Sequence, residues 1–93
     1  MRTISRTASF KKDYKRESKG RHRATLDRDI RVVLEFLVSD VPLPSKYRDH
    51  ALSGEWSDFR DCHVKPDLVL IYRKPDAAGL CLVRLGFHRE LGF

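Results

Sequence analysis

Apolar residues in the first half of the chain recur at helical spacing. Phe10 and Tyr14 lie four residues apart, which predicts a helix over Ser9–Lys19 with a narrow apolar stripe and a broad basic face. Gly20 is then expected to take the left-handed conformation that ends a helix. A longer stripe predicts a second helix over Arg21–Val38, and its members are Leu26, Ile30, Val33, Leu34 and Leu37.

The second half of the chain contains the short β-rich runs of a strand meander. Leu68–Arg73 opens with apolar residues at odd and even positions alike, so both faces of this strand are apolar. This predicts a central strand covered on both faces. Lys74–Gly79 has the Pro, Asp and Gly of a hairpin loop. The other predicted strands are Thr3–Thr7, at an edge, and Phe59–Val64 and Leu80–Leu85. We therefore expect an α+β fold in the order β-α-α-β-β-β, with two N-terminal helices packed on a small antiparallel-dominated sheet.

Length and composition favour a folded cytoplasmic protein. The 93 residues are expected to form a single domain spanning 1–93, because so short a chain has no room for a second core. The longest apolar run is far shorter than the ~20 residues of a membrane span, and the first ten residues lack the apolar stretch of a signal peptide. Cys62 and Cys81 show no CxxC spacing, so we expect free, reduced thiols.

Positive charge is concentrated at the beginning of the chain. Residues 1–31 carry eleven Lys and Arg against four Asp and Glu, a net charge of +7, whereas the other residues carry eight against nine, a net of −1. A solvated helix face explains any one of these lysines. The cluster as a whole favours a polyanionic or acidic partner, such as a nucleic acid.

Three of the four histidines lie at predicted strand ends or loops of one sheet. They are His50, His63 and His88, and Asp67 and Arg84 each lie four residues from one of them. Imidazole can both donate and accept a proton near neutral pH, which suits acid–base catalysis. Each of these histidines, taken alone, is explained equally well as a surface or hydrogen-bonded structural residue. The fourth histidine, His22, lies in the basic helical region and is assigned no functional role.

Three stretches of the chain resemble the YafQ-type toxins of the RelE/ParE superfamily. Leu43–Trp56 reads LPSKYRDHALSGEW and is similar to that family's LPxxYxDHxLxGxW pattern. Phe59–Tyr72 reads FRDCHVKPDLVLIY and resembles RDxHVxPDxxLIY. Arg84–His88 resembles R-x-G-x-H. The likeness covers nearly the whole chain, including the helix pair.

The resemblance implies a RelE-like fold and the toxin of a type II toxin–antitoxin pair, a ribosome-dependent mRNA endoribonuclease that inhibits translation. It implies a catalytic set of His50, His63, Asp67 and His88. The family pattern ends His-x-x-Leu-Phe, whereas this chain has Gly92 inserted before Phe93. The substrate-binding residues expected on this basis are Arg84, Lys65 and Phe93, the last by stacking on a base.

The residue types fit RNA cleavage without a metal or another cofactor. A base must take the 2′-OH proton, an acid must protonate the departing 5′-oxygen, and a cation must stabilise the phosphorane charge. His88 is the expected acid, and His63, or His50 supported by Asp67, is the expected base or orienting residue. Arg84 is the expected phosphate clamp. The products would be a 2′,3′-cyclic phosphate or 3′-phosphate and a 5′-hydroxyl.

The expected partners are an acidic antitoxin encoded beside this chain, the ribosome with its mRNA, and operator DNA only indirectly through the antitoxin, with no membrane. Three other readings stay open. A zinc hydrolase would use the histidines and the aspartate as ligands, although no HxH or HExxH anchors such a site. A ParE-like inhibitor would be non-catalytic, and that branch lacks the histidine set. A plain nucleic-acid-binding module would keep its activity without the histidines.

Overall fold

Three helices and five strands follow one another along residues 1–91, the part of the chain that this computed structural model describes. The strands are β1 (Thr3–Arg6), β2 (His50–Ala51), β3 (Arg60–Lys65), β4 (Leu68–Arg73) and β5 (Gly79–Gly86). The helices are α1 (Ala8–Glu17), α2 (Leu26–Val38) and α3 (His88–Leu91). Across residues 1–91, no helix combines the length and apolar character needed to cross a membrane.

The five strands form one sheet in the order β1-β5-β4-β3-β2. β1 runs parallel to β5, and every other neighbouring pair is antiparallel. β4 lies at the centre and is buried from Leu68 to Tyr72, as its unbroken apolar run predicts. The α+β class and the antiparallel-dominated sheet are therefore confirmed. The two-residue β2 and the short α3 are additions that periodicity did not predict.

The two faces of the sheet differ in what covers them. The main core lies between one face and the first two helices, and it includes Phe10, Leu26, Val33, Leu70 and Leu82. A smaller cluster of Val69, Ile71 and Leu91, with Leu52, Phe59 and Val83 packed against it, covers the opposite face. This second face is the one that carries polar side chains of β3, because alternate residues of a strand point to opposite faces.

The helix boundaries correct two of the predictions. α2 begins at Leu26 instead of Arg21, and residues 18–25 form turns. The Thr25 hydroxyl does not cap α2 and instead accepts a hydrogen bond from Lys65 Nζ at 2.8 Å. Gly20 is not left-handed, since Gly54 is the only glycine of the described residues with a positive φ. Bonds between Thr25 and Lys65 at the end of β3, and between His22 and Asp67, tie this segment to the sheet. The two cysteines are free, as expected, and only Cys62 is fully buried.

Candidate active site

Two histidines and a buried carboxylate meet on the sheet face opposite α1 and α2. His88 Nε2 lies 3.0 Å from Asp61 Oδ2, and His63 Nε2 lies 3.8 Å from Asp61 Oδ1. The two imidazole rings are 5.3 Å apart between centroids. The side chain of Asp61 is only 1% exposed, whereas that of His88 is 51% exposed. One carboxylate therefore lies between two imidazoles at a surface that a substrate can reach.

Local structure explains how these groups come together. Asp61 and His63 are two residues apart in β3, so both project from the same face. β5 ends at Gly86, and the chain then folds back as α3, which begins at His88. A Cβ at Gly86 would lie 3.3 Å from Leu91 Cδ2 and 3.1 Å from a nitrogen of Arg16. Both contacts are tight, so a side chain here would require Arg16 and Leu91 to shift, and glycine favours the close return of α3 that brings His88 to Asp61.

The hydrogen bonds assign the tautomer of each ring. A carboxylate only accepts, so His88 must carry a proton on Nε2 and keeps Nδ1 for other chemistry. His63 donates from Nδ1 to the carbonyl of Pro66 at 3.1 Å, which leaves a lone pair on its Nε2 in the neutral form. Within the described part of the chain, Asp61 Oδ1 has no hydrogen-bond donor. It is a ready acceptor for His63 once Nε2 is protonated.

His50 lies on the neighbouring edge strand, opposite Asp61 in the register of β2 and β3. Residues paired across antiparallel strands share a face, so His50 belongs to the face of Asp61 and His63. Its Nδ1 donates to the carbonyl of Arg48 at 2.8 Å, and its ring is exposed. Asp49 anchors this loop, because it accepts hydrogen bonds from Tyr72 at 2.5 Å and from Arg60 at 3.0 Å.

Asp67 is placed differently from the expectation that it supports His50 or His63. Its Oδ1 is 2.9 Å from His22 Nε2 and its Oδ2 is 3.2 Å from an Arg21 nitrogen. Partial burial opposes ionisation of Asp67, but the bond to His22 and the charge of Arg21 hold its pKa below the usual value. Asp67 therefore lies beside the site, where it and His88 line the same cleft of about 510 Å³.

Two predicted substrate-binding residues have partners inside the fold. Arg84 makes two hydrogen bonds to buried Asp13, the shorter from Nε at 2.7 Å. Lys65 forms an ion pair with Asp29 of α2. Arg84 and Lys65 are thus each paired with a carboxylate of the fold, and neither is a free phosphate clamp in this structure. Phe93, the third predicted residue, lies outside the described residues.

Asp61, His63 and His88 also form a possible metal site, because their ligand atoms lie within 4.8 Å of one another. Two imidazoles and a carboxylate suit zinc. This is a different set from the three histidines with Asp67 that the sequence suggested. Sequence reasoning missed Asp61, although its spacing from His63 in a β-rich run is a usable signal. It also missed His22, whose link to Asp67 spans 45 residues and leaves no local signal.

Comparison with known proteins identifies the family of the chain. A family model described as "Bacterial toxin of type II toxin-antitoxin system, YafQ" matches residues 2–92. The chain is 36% identical over 91 residues to the mRNA interferase toxin YafQ of Escherichia coli strain K12, covering 97% of this chain and 95% of that protein.

Solved structures share the fold over almost the full length. YafQ in the E. coli DinJ-YafQ complex superposes with a TM-score of 0.83 at 34% identity, covering 98% of each chain. A metal-bound toxin from Helicobacter pylori superposes with a TM-score of 0.81 at 40% identity, covering 98% of this chain and 99% of that one.

The fold, the site and these matches define the class of the protein, a bacterial toxin of a type II toxin–antitoxin system. Within that class, the chain belongs to the YafQ family. The predicted family and the predicted toxin class are thereby confirmed.

Proposed function

We propose that this chain is a ribosome-dependent mRNA endoribonuclease in which Asp61 couples a general base, His63, to a general acid, His88. The observation that carries the proposal is the contact of both imidazoles with one buried carboxylate. The name mRNA interferase toxin, borne by the E. coli relative, supports the same reaction.

Cleavage begins with proton removal from the ribose 2′-OH. The lone pair on His63 Nε2 takes this proton, while Nδ1 keeps its own proton and donates it in a hydrogen bond to the carbonyl of Pro66. The 2′-oxygen then forms a bond to phosphorus. Asp61 Oδ1 lies 3.8 Å from Nε2, and the negative charge of Asp61 stabilises the imidazolium as it forms.

The leaving group departs with a proton from His88. The P–O5′ bond breaks as Nδ1 of the doubly protonated ring gives its proton to the 5′-oxygen. His88 keeps its Nε2 proton throughout and donates it in a hydrogen bond to Asp61, which holds the ring in place. The products are a 2′,3′-cyclic phosphate, open to later hydrolysis, and a 5′-hydroxyl.

His50 and Asp67 complete the proposed catalytic set from two sides. His50 has its Nδ1 on the carbonyl of Arg48, so its Nε2 can accept or relay a proton from the substrate. Asp67 shares the cleft beside His88 and orients groups there through His22 and Arg21. The 5.3 Å separation of the two rings supports His63 as the partner of His88 in catalysis, with His50 in a supporting role.

A metal-dependent hydrolase is a second candidate, favoured by the Asp61, His63 and His88 cluster and by a relative described as metal-bound. A metal on these atoms would occupy His63 Nε2, the atom that the acid–base reaction uses as its base. The two functions therefore predict opposite responses. Zinc added to metal-free protein should inhibit the acid–base enzyme, whereas a hydrolase would lose activity to a zinc-selective chelator. Ribosomes need magnesium, so the chelator must spare it.

The proposed partners follow from the family and from the charge. A relative crystallised in the DinJ-YafQ complex, and we infer a cognate acidic antitoxin for this chain because its net charge is +6. Operator DNA would be reached only through that antitoxin. The substrate would be mRNA on the ribosome, so the protein would act in the cytoplasm, and it would do so as a single domain.

The test is to express the chain in a bacterium and map the 5′ ends of cleaved mRNA by primer extension. Wild-type protein should produce new 5′ ends and growth arrest, and His88→Ala should abolish both. His88 is half exposed, so its loss should leave the melting temperature nearly unchanged. Cleavage by a folded His88→Ala protein at the wild-type rate would remove His88 from the mechanism.

A further inference from the structure

The cleft beside His88 carries two arginines and two carboxylates outside the catalytic pair. It is lined by Arg21, Asp67, Phe87, His88, Arg89 and Glu90. Its volume of about 510 Å³ lies within the usual range of small-molecule sites and suits one nucleotide. We propose that Arg21 binds a phosphate of the mRNA backbone in this cleft, next to the scissile phosphate. The inference rests on the proposed function and adds a substrate-binding residue to it.

Arg21 still has donors to offer. Its side chain is 70% exposed, and among the described residues it forms one ion pair, from Nη1 to Asp67 Oδ2 at 3.2 Å. A guanidinium carries five N–H donors in a planar fork, so one such contact leaves a face for bidentate binding of a phosphate. Arg84 is engaged differently, because Asp13 takes both Nε and NH2 of its fork.

Each carboxylate of the cleft has a polar partner other than Arg21. Asp67 is bound by His22 at 2.9 Å, and Glu90 lies 3.8 Å from a nitrogen of Arg16. Neither carboxylate therefore depends on Arg21 alone for compensation. His22 also fixes Asp67, so Arg21 rests against an anchored group and loses less side-chain entropy when a phosphate binds.

The remaining wall suits the rest of a nucleotide. Phe87 is half-buried against the main core and reaches the cleft, where an aromatic side chain can contact a base or a ribose. A second cleft borders His63 and is lined in part by Lys46 and Tyr47. RNA on both sides of the scissile phosphate would then fill both clefts, with Arg21 on the side of His88.

The experiment compares Arg21→Ala with Arg23→Ala. Both remove one positive charge from the same turn segment, but Arg23 hydrogen-bonds the carbonyl of Gly20 and does not line the cleft. Each protein is assayed by single-site cleavage of an mRNA programmed into purified ribosomes, and kcat and KM are measured across a salt series. A third variant, Arg21→Lys, keeps the charge but removes the fork.

Arg21→Ala should raise KM about 10-fold with kcat changed by less than about 3-fold, because a ground-state phosphate contact is lost. The slope of log(1/KM) against log[salt] should fall by about 0.7, the value for one phosphate on a single strand. Arg21→Lys should recover only part of the KM, and Arg23→Ala should match the wild type.

Three outcomes would overturn the inference. Equal KM values for Arg21→Ala and Arg23→Ala would show that no phosphate binds there. A fall in kcat with KM unchanged would mean that Arg21 only holds Asp67. Weakened antitoxin binding with normal KM would place Arg21 in the antitoxin interface. If the wild-type protein itself failed to cleave, the proposed function would fail instead, so the two failures are distinguishable.

Discussion

At Asp61, one carboxylate serves two imidazoles, and each oxygen faces a different ring. Its burial is costly for a charged group unless hydrogen bonds compensate, and here one oxygen has no donor in the described residues. Such an arrangement sacrifices stability at a functional position. A substitution of Asp61 should therefore change stability and activity in opposite directions.

Asp61→Asn should lower kcat about 100-fold while leaving the melting temperature unchanged or raised. The amide keeps the size of the side chain but removes the charge that stabilises both imidazolium forms. Single-turnover cleavage and thermal unfolding measure the two effects. Asp58→Asn, an exposed neighbour, is the control and should alter neither. A parallel loss of activity and stability would make Asp61 a merely structural residue.

At the scale of the elements, charged side chains fasten the helices to the sheet. Asp13 of α1 binds Arg84 and the backbone N–H of Leu85 in β5, the latter at 3.0 Å. Lys65 of β3 binds Thr25 and Asp29 at the beginning of α2. Arg84 and Lys65, which were expected to bind RNA, therefore stabilise the packing of helices on the sheet in this structure. Their part in substrate binding stays a prediction.

Asp13→Asn should reduce the free energy of unfolding by about 1–3 kcal/mol near neutral pH, since charged hydrogen bonds are lost in a buried place. Burial alone would raise the pKa of Asp13, but the bonds from Arg84, Leu85 and Arg16 outweigh it and lower that pKa. Because the pKa of Asp13 is lower in the folded state, its ionised form stabilises the fold. This stabilisation is complete above the pKa of an unfolded Asp, about 3.9, and is lost as the pH falls through the pKa of the folded state.

Urea unfolding of wild-type and Asp13→Asn proteins, repeated from pH 7 to pH 3, tests this. The difference in unfolding free energy should be constant down to about pH 5 and shrink below about pH 4. Glu35→Gln, an exposed change on α2, should show no such trend. A difference that persists unchanged at pH 3 would mean that shape, and not charge, accounts for the role of Asp13.

At the scale of the whole molecule, the uneven charge is the dominant feature. Residues 1–31 form β1, α1 and the beginning of α2, and they hold the +7 segment. Several of its cations have internal partners, such as Arg16 with Glu17 and Arg28 with Asp29. The exposed lysines of α1 and its following turn are better placed to act on a distant polyanion.

Lys12→Gln, Lys15→Gln and Lys19→Gln combined should weaken ribosome association and lower its salt slope by up to about 2, since phosphate contacts release counterions. The three side chains are exposed and lie away from the catalytic pair, so kcat at saturating ribosome concentration should be unchanged. Filter binding across a salt series provides the measurement. Binding that is identical to the wild type at every salt concentration would exclude this face from the ribosome interface.

The sequence by itself determined the features that depend on neighbouring residues. Helical spacing predicted both long helices, apolar residues at both parities predicted the buried β4, and the motif around His50 and His63 indicated the family. These predictions succeed because periodicity follows from backbone geometry, which neighbouring residues dictate. The beginning of α2 escaped them, since its turn is held by Lys65 and Asp67, some 40 and 45 positions away.

Only the tertiary structure decided which charged group meets which. Asp67 binds His22 instead of His50, Arg84 binds Asp13 across 71 positions, and His88 binds Asp61 across 27. Side-chain charges interact strongly only over a few ångströms, so their partners depend on how helices and strands pack and not on distance along the chain. The histidines of the site were readable in the sequence, but the carboxylate that joins them was identified only when the sheet and α3 were in place.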